Sequence, residues 1–285
     1  MLKSIFSKKQ NTTEGTQEDE MSFLDHLEQL RWHIIRAVSW VTVFAVVAFL
    51  AKDFIFRHII FAPRYADFFS YHVMCSFAEL LNMKEVLCLT PPDFQVQGVG
   101  FGELFVTHLK VAFFLGLIAA FPMVLFEIWK FIRPGLYEKE QKAARGFVFI
   151  CSILFALGVL FGYYVISPFA ITFLAGYEIQ GAVAAPTLES YVNYMVMFTM
   201  PVGLVFELPV LVYFFSKIGL VTPDFMRTYR RHAIVLILLV AAIITPPDVV
   251  TQFMVGIPLY VLYEISIIVS ARVVSRLEKD EKLLN

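Results

Sequence analysis

Charged residues cut the chain between Arg36 and Arg272 into six apolar runs. The runs cover 37–51, 111–129, 146–166, 191–216, 233–246 and 249–270. Lys110 opens the second run and Glu127 lies near its end, Glu207 interrupts the fourth, and Glu264 interrupts the sixth. About 20 mostly apolar residues suffice for a helix to cross roughly 30 Å of hydrocarbon. Six such runs predict an all-α polytopic membrane protein, one bundle of six transmembrane helices with both termini on one side. The composition agrees: 59% of residues are hydrophobic and 16% charged, against about 45–50% and about 25% in soluble domains. Ordinary Gly and Pro counts exclude a collagen-like chain. A net charge of -1 excludes a bulk basic surface for nucleic acid, and 3 Cys are too few for a disulfide scaffold.

The fifth run is short. From Ala233 to Ile244 a helix would rise only about 18 Å, and Thr245-Pro246-Pro247-Asp248 then breaks the chain. Short fifth and sixth helices are therefore expected to form a tight hairpin. An undersized helix thins the bilayer, snorkels its flanks or recruits a partner.

Basic residues give the sidedness, because Lys and Arg accumulate in cytoplasmic loops. Of the 23, 18 fall on one side: in the N-terminal segment, the loop around 130–145, the loop around 217–231 and the segment after 270. Only Lys52, Arg57, Arg64, Lys84 and Lys110 fall on the other. Both termini are expected in the cytoplasm. No cleavable signal peptide is visible, since residues 1–22 are polar and the first apolar run begins after Arg36. The expected organisation is a disordered cytoplasmic tail over 1–21, a membrane domain over 22–270 and a cytoplasmic tail over 271–285. Within the membrane domain, 52–103 forms a long periplasmic loop. In that loop FIFRHIIFAP (54–63) reads as an amphipathic interfacial stretch. Cys75 and Cys88 share the loop, where an oxidising periplasm would permit a disulfide; bonded and free thiols are both compatible with the sequence. Cys151 reads as a small core hydrophobe.

Signatures of soluble enzymes are missing: there is no GxSxG, HExxH, Walker loop or CxxC, and the six His show no metal-ligand spacing. No catalytic residue, metal or cofactor is expected. An intramembrane carboxylate is costly and marks function by default, which singles out Glu207. A transporter using Glu207 is the alternative of another class, but such folds are built from internal repeats and none is visible.

Four segments resemble TatC, the polytopic subunit of the twin-arginine protein translocase. They are FLDHLEQLRWHIIR (23–36), FEIWKFIRPGLYEKEQKAAR (126–145), FELPVLVYFFSKIGLVTP (206–223) and ITPPDVVTQFMVGIPLYVLYEIS (244–266). The resemblance implies a core receptor in the bacterial inner membrane that is not an enzyme. Such a receptor binds paired-arginine signal peptides at its cytoplasmic face. With single-span TatA- and TatB-type partners, as a hetero- and homo-oligomer in the lipid bilayer, it exports folded proteins on the proton-motive force.

The resemblance also implies a site. A guanidinium is a planar, permanently charged fork suited to bidentate pairing with carboxylates. Glu140 occupies the family's main arginine-binding position, in a segment with Phe131, Pro134 and Tyr137. The family's second acid is replaced here: His26-Leu27-Glu28-Gln29-Leu30-Arg31 places Gln29 at the acid position and Glu28 one residue away, about 100° around a helix. Gln29 can accept a hydrogen bond from guanidinium but carries no charge. Arg31, three residues after Glu28, is placed for a local ion pair, a positive-inside anchor or a binding role. Phe131 could stack on a guanidinium or serve as an interfacial aromatic. Glu207 is implied to face a partner helix or the signal peptide. Thr245, Asp248 and Gln252 form the implied docking site for a TatA or TatB helix, and Asp248 is also placed to cap the sixth helix. Glu264 reads as a structural partner for the basic rim. Arg230-Arg231 is explained by topology and is not itself an export signal.

Overall fold

The computed structural model describes residues 23–80, 88, 94–132, 144–177, 180, 185–245 and 248–284. Helix α1 (Phe23–Leu50) begins well before the apolar run and carries its polar first turns past the hydrocarbon. Charges therefore bound the hydrocarbon segment but not the helix. Next comes α2 (Lys52–Ile55), which passes into a π-helical turn, Phe56–Ile60, and then into α3 (Phe69–Leu80). Ile55 and Ile60 of this stretch are buried while Arg57 and His58 are exposed, so the expected amphipathic character is present. Helix α4 (Glu103–Ile132) follows.

Helix α5 (Ala144–Phe161) continues through a π turn, Gly162–Ile166, into α6 (Ser167–Gly176). Helix α7 (Leu188–Val205) is broken from α8 (Leu208–Lys217) at Phe206-Glu207. Pro209 has no N–H to continue the ladder there, and the Glu207 carbonyl instead accepts from the N–H groups of Val210 and Leu211. The short α9 (Pro223–Thr228), α10 (Arg230–Ile244) and α11 (Val249–Leu284) complete the described chain. Helix α11 runs on through the segment after 270.

Five stretches are long and apolar enough to cross a membrane: Leu27–Leu50, Glu103–Ile132, Gly146–Gly176, Leu188–Lys217 and Val249–Lys279. Helix α10 has 15 residues, about 22 Å of rise, and falls short of that length. The described residues are thus helical throughout their spans, as in a multi-pass membrane protein, and the helix that carries the fifth apolar run is undersized, as its sequence predicts. The sixth is not short, because α11 has 36 residues.

Helices α1 and α4 pack antiparallel, from His33 against Glu127 at one end to Phe49 against His108 at the other. Gly116 permits the closest approach: a Cβ there would lie 2.6 Å from the Ala45 backbone nitrogen. A second close seam joins α5 to α7, where a Cβ on Gly158 would meet the Gly203 Cα at 2.8 Å. Small residues are what let helices approach in lipid, where no hydrophobic force drives them together.

The bundle end poor in basic residues is tied by polar contacts. The Tyr163 and Tyr191 hydroxyls donate to the carbonyls of Ile59 and Ile60 at 2.7 and 2.9 Å. Glu103 accepts from the N–H groups of Val99 and Gly100 and reaches that of Glu189. Lys110 donates to Glu189 and Asn193, both at 2.9 Å. Cys75 and Cys88 are disulfide-bonded, which resolves the two readings left open by the sequence. Cys151 is a buried free thiol.

Candidate functional site

At the basic-rich end, the α1–α4 register brings His33 against Glu127. Glu127 is only 5% exposed, yet it has a histidine and two cationic side chains against it. His33 Nδ1 lies 2.7 Å from one carboxylate oxygen, the Arg36 guanidinium 4.0 Å from the same oxygen, and Lys130 Nζ 3.2 Å from the other. Lys130 also sits 4.4 Å from the centre of the Phe126 ring, a cation–π contact. A buried carboxylate is tolerated only when paired and hydrogen-bonded, and this one is both. On another face of α4, Trp129 clusters with Phe147 and Phe214, with ring centroids 4.5 to 5.7 Å apart, and fixes α4 against α5 and α8.

This polar clasp was not singled out from the sequence. Glu127 reads there only as a charge near the end of an apolar run, and His33 as one of six scattered histidines. The available signal was the antiparallel register: His33 faces Glu127 in the same alignment that sets Ala45 opposite Gly116.

The clasp organises the sequence-predicted residues that the structure describes. Phe131, one turn beyond Glu127, packs edge-on against His33 with ring centres 6.2 Å apart. Gln29 lies one turn before His33 on α1 and is exposed, as are Glu28 and Arg31. Among the described residues Glu28 and Arg31 form no ion pair, so the local pairing their spacing allows is not made. Pro134, Tyr137 and Glu140 lie outside the described residues.

Glu207 sits elsewhere, at the α7–α8 break. It is 9% exposed, the Cys151 thiol and the Phe155 backbone are its hydrogen-bonding neighbours, and among the described residues its Oε1 is buried without a hydrogen-bond partner.

The residues of the last hairpin are satisfied internally. The Thr245 hydroxyl donates to the Ala241 carbonyl at 2.9 Å, Asp248 accepts from the Thr251 N–H at 2.9 Å as the cap of α11, and the Gln252 amide donates to the Leu238 carbonyl at 3.2 Å. Glu264 accepts from Arg230 at 2.8 Å and from the Tyr260 hydroxyl at 3.0 Å, the structural pairing its sequence position suggests. No group of three or more metal-ligating side chains occurs among the described residues.

The fold and these polar sites define a class: a multi-pass helical membrane protein with paired charged groups at helix ends and breaks. Comparison with known proteins places it more narrowly. The family model described as "Sec-independent protein translocase protein (TatC)" matches residues 25–258, and the chain belongs to the TatC family. A TatC from Blattabacterium sp. subsp. Periplaneta americana is 32% identical over 258 residues, covering 89% of this chain and 96% of the relative. One from Desulforapulum autotrophicum is 34% identical over 252 residues, covering 88% and 85%. A crystal structure of the twin arginine translocase receptor TatC in DDM superposes with a TM-score of 0.66 at 28% identity, covering 86% of this chain and 99% of that one. The protein is therefore a component of the Sec-independent protein translocase, a transport protein.

Proposed function

We propose that this chain is the receptor of the translocase in the bacterial inner membrane, capturing paired-arginine signal peptides at the basic-rich end of α1 and α4. The observation that carries this reading is the His33–Glu127 clasp. It fixes the first turns of α1, with Glu28, Gln29 and Arg31, beside the last turn of α4, with Phe131. The chain then leads directly into the segment bearing Pro134, Tyr137 and Glu140. Glu140 supplies the carboxylate for one guanidinium, and Gln29 or Glu28 contacts the other.

Six spans with both termini in the cytoplasm fit this arrangement, with α10 as the undersized fifth and α11 as the sixth. The excess of basic residues supports that orientation. The Cys75–Cys88 disulfide supports an oxidising, periplasmic location for the loop 52–103. Residues 22–270 form the membrane domain, between the N-terminal segment 1–21 and the cytoplasmic segment 271–285. The unpartnered Oε1 of Glu207 supports contact with a donor from a TatA- or TatB-type helix or from the signal peptide. The internal bonding of Thr245, Asp248 and Gln252 gives their docking role less support, so a helix docking there would do so on the exposed apolar surface of α10.

Photocrosslinking from position 140 in membranes tests the reading. A paired-Arg precursor should be captured and its Lys-Lys counterpart should not, and Glu140→Ala should abolish capture of the same precursor from a neighbouring probe. Equal capture of both precursors would remove Glu140 from the site.

A further inference from the structure

The corner between α9 and α10 and the 264–279 stretch of α11 line an open pocket of about 520 Å3 at the basic-rich end of the bundle. Arg227 and Arg230 line it from one side, and Arg272, Arg276 and Lys279 from the other. Its cations are unequally compensated. Arg227 pairs with Asp224 at 3.2 Å and Arg230 with Glu264 at 2.8 Å. Arg272, Arg276 and Lys279 make no ion pair among the described residues, although all three are described and exposed. Lys130 and Arg36 at the other rim share the buried Glu127. The pocket is thus a concave site with a surplus of positive charge and room for an anion.

The surface beneath the pocket indicates which anion. Val261, Ile265 and Ile268 recur on α11 at spacings of four and three residues, and Arg272, Arg276 and Lys279 continue that stripe at four, four and three. Residues so spaced share one helix face. All three apolar members are exposed, on a helix whose segment Val249–Lys279 is long and apolar enough to cross a membrane. One continuous face therefore runs from hydrocarbon-facing side chains into a cationic cup, with Ile268 in the pocket lining itself. A free anion would use only the cup, whereas a diacyl phospholipid with a negative headgroup matches the whole face. Basic pockets between membrane helices are suited to such headgroups.

We propose that this pocket binds the headgroup of an anionic phospholipid, with Arg272, Arg276 and Lys279 holding the phosphate and an acyl chain lying along Ile268, Ile265 and Val261. The site is on a different set of helices from the α1–α4 clasp, and its occupancy does not depend on signal-peptide binding there. The lipid would tie the α9–α10 corner to α11 by supplying negative charge opposite Arg272, Arg276 and Lys279.

Native mass spectrometry of the full-length chain, delipidated in detergent and titrated with phosphatidylglycerol or phosphatidylcholine, tests this. Phosphatidylglycerol should be retained at about 100-fold lower lipid concentration than phosphatidylcholine. Each basic side chain near a membrane surface favours an anionic lipid about fivefold, so R272Q/R276Q/K279Q should weaken phosphatidylglycerol binding about 100-fold and leave phosphatidylcholine binding unchanged. If that triple variant does not fold, Arg276→Gln alone, on an exposed turn, decides the question with an expected loss of about fivefold. An unchanged phosphatidylglycerol affinity in either folded variant would overturn the proposal. So would displacement of phosphatidylglycerol by millimolar inorganic phosphate, which would identify a site for free anions. Retention of the lipid in that phosphate supports it.

Discussion

Removing the Glu127 carboxylate should uncouple α1 from α4 at the basic-rich end, and the loss should come mainly through His33. The His33 Nδ1–Glu127 distance is 2.7 Å, with side-chain exposures of only 17% and 6%. A hydrogen bond to a charged group is worth about 1.5–3 kcal/mol in water-soluble proteins, while polar couplings in a membrane bundle average about 0.6 and reach about 1.7 kcal/mol. The clasp lies at a helix end between these regimes, so the His33–Glu127 coupling should be about 1–2 kcal/mol. Lys130 contacts the other oxygen but is 40% exposed. Solvent screens that pair, as in exposed i, i+3 pairs generally, to about 0.5 kcal/mol or less. Two double-mutant cycles measure both couplings: His33→Ala with Glu127→Ala, and Lys130→Ala with Glu127→Ala. Each is followed by tryptophan fluorescence during unfolding in mixed anionic and non-ionic micelles. A His33 coupling no larger than that of Lys130 would refute the argument that burial, and not contact alone, gives the clasp its strength.

Other outcomes follow from the same geometry. Gln29→Glu should preserve or tighten capture of a paired-Arg signal peptide in a crosslinking assay, because a carboxylate replaces a neutral acceptor; weaker capture would assign the contact to Glu28. Glu207→Ala should leave membrane insertion intact and impair co-purification with single-span partners or transport, and an unaffected complex would make Glu207 purely structural. Tyr191→Phe should destabilise the fold by about 1–3 kcal/mol, since it strands the buried Ile60 carbonyl. Micelle-based unfolding measures that loss, and a change under about 0.5 kcal/mol would show that water replaces the hydroxyl.

The sequence made the helices legible because their lengths are set by the solvent: apolar runs between charges recur at bilayer thickness, and the short fifth run gives the short α10. Apolar runs leave open where helices continue into water. Helix α1 starts at Phe23 and not near Ala37, and α11 passes Ser270 and ends at Leu284. Prolines were equally ambiguous. Pro122, Pro201 and Pro258 lie inside helices, whereas Pro209 follows a break. Neighbouring helices can re-satisfy the backbone at one proline and not at another, and that information is tertiary. The candidate site was legible in part. Phe131 and Gln29 were read from local motifs and lie at one end of the α1–α4 pair. The clasp that sets them there was hidden because His33 and Glu127 are 94 residues apart and each is unremarkable alone.

Helix α1 rests chiefly on α4, at the seam where Gly116 meets Ala45, and turns its other faces outward. During synthesis the ribosome delivers α1 first and must then produce the whole loop before the Gly116 turn of α4 emerges. For that interval the first helix has no protein neighbour to lean on and must reside in lipid by its own hydrophobicity. Its outward row of Val38, Val43, Val46, Val47 and Leu50 equips it for that solitary stage as well as for the finished bundle.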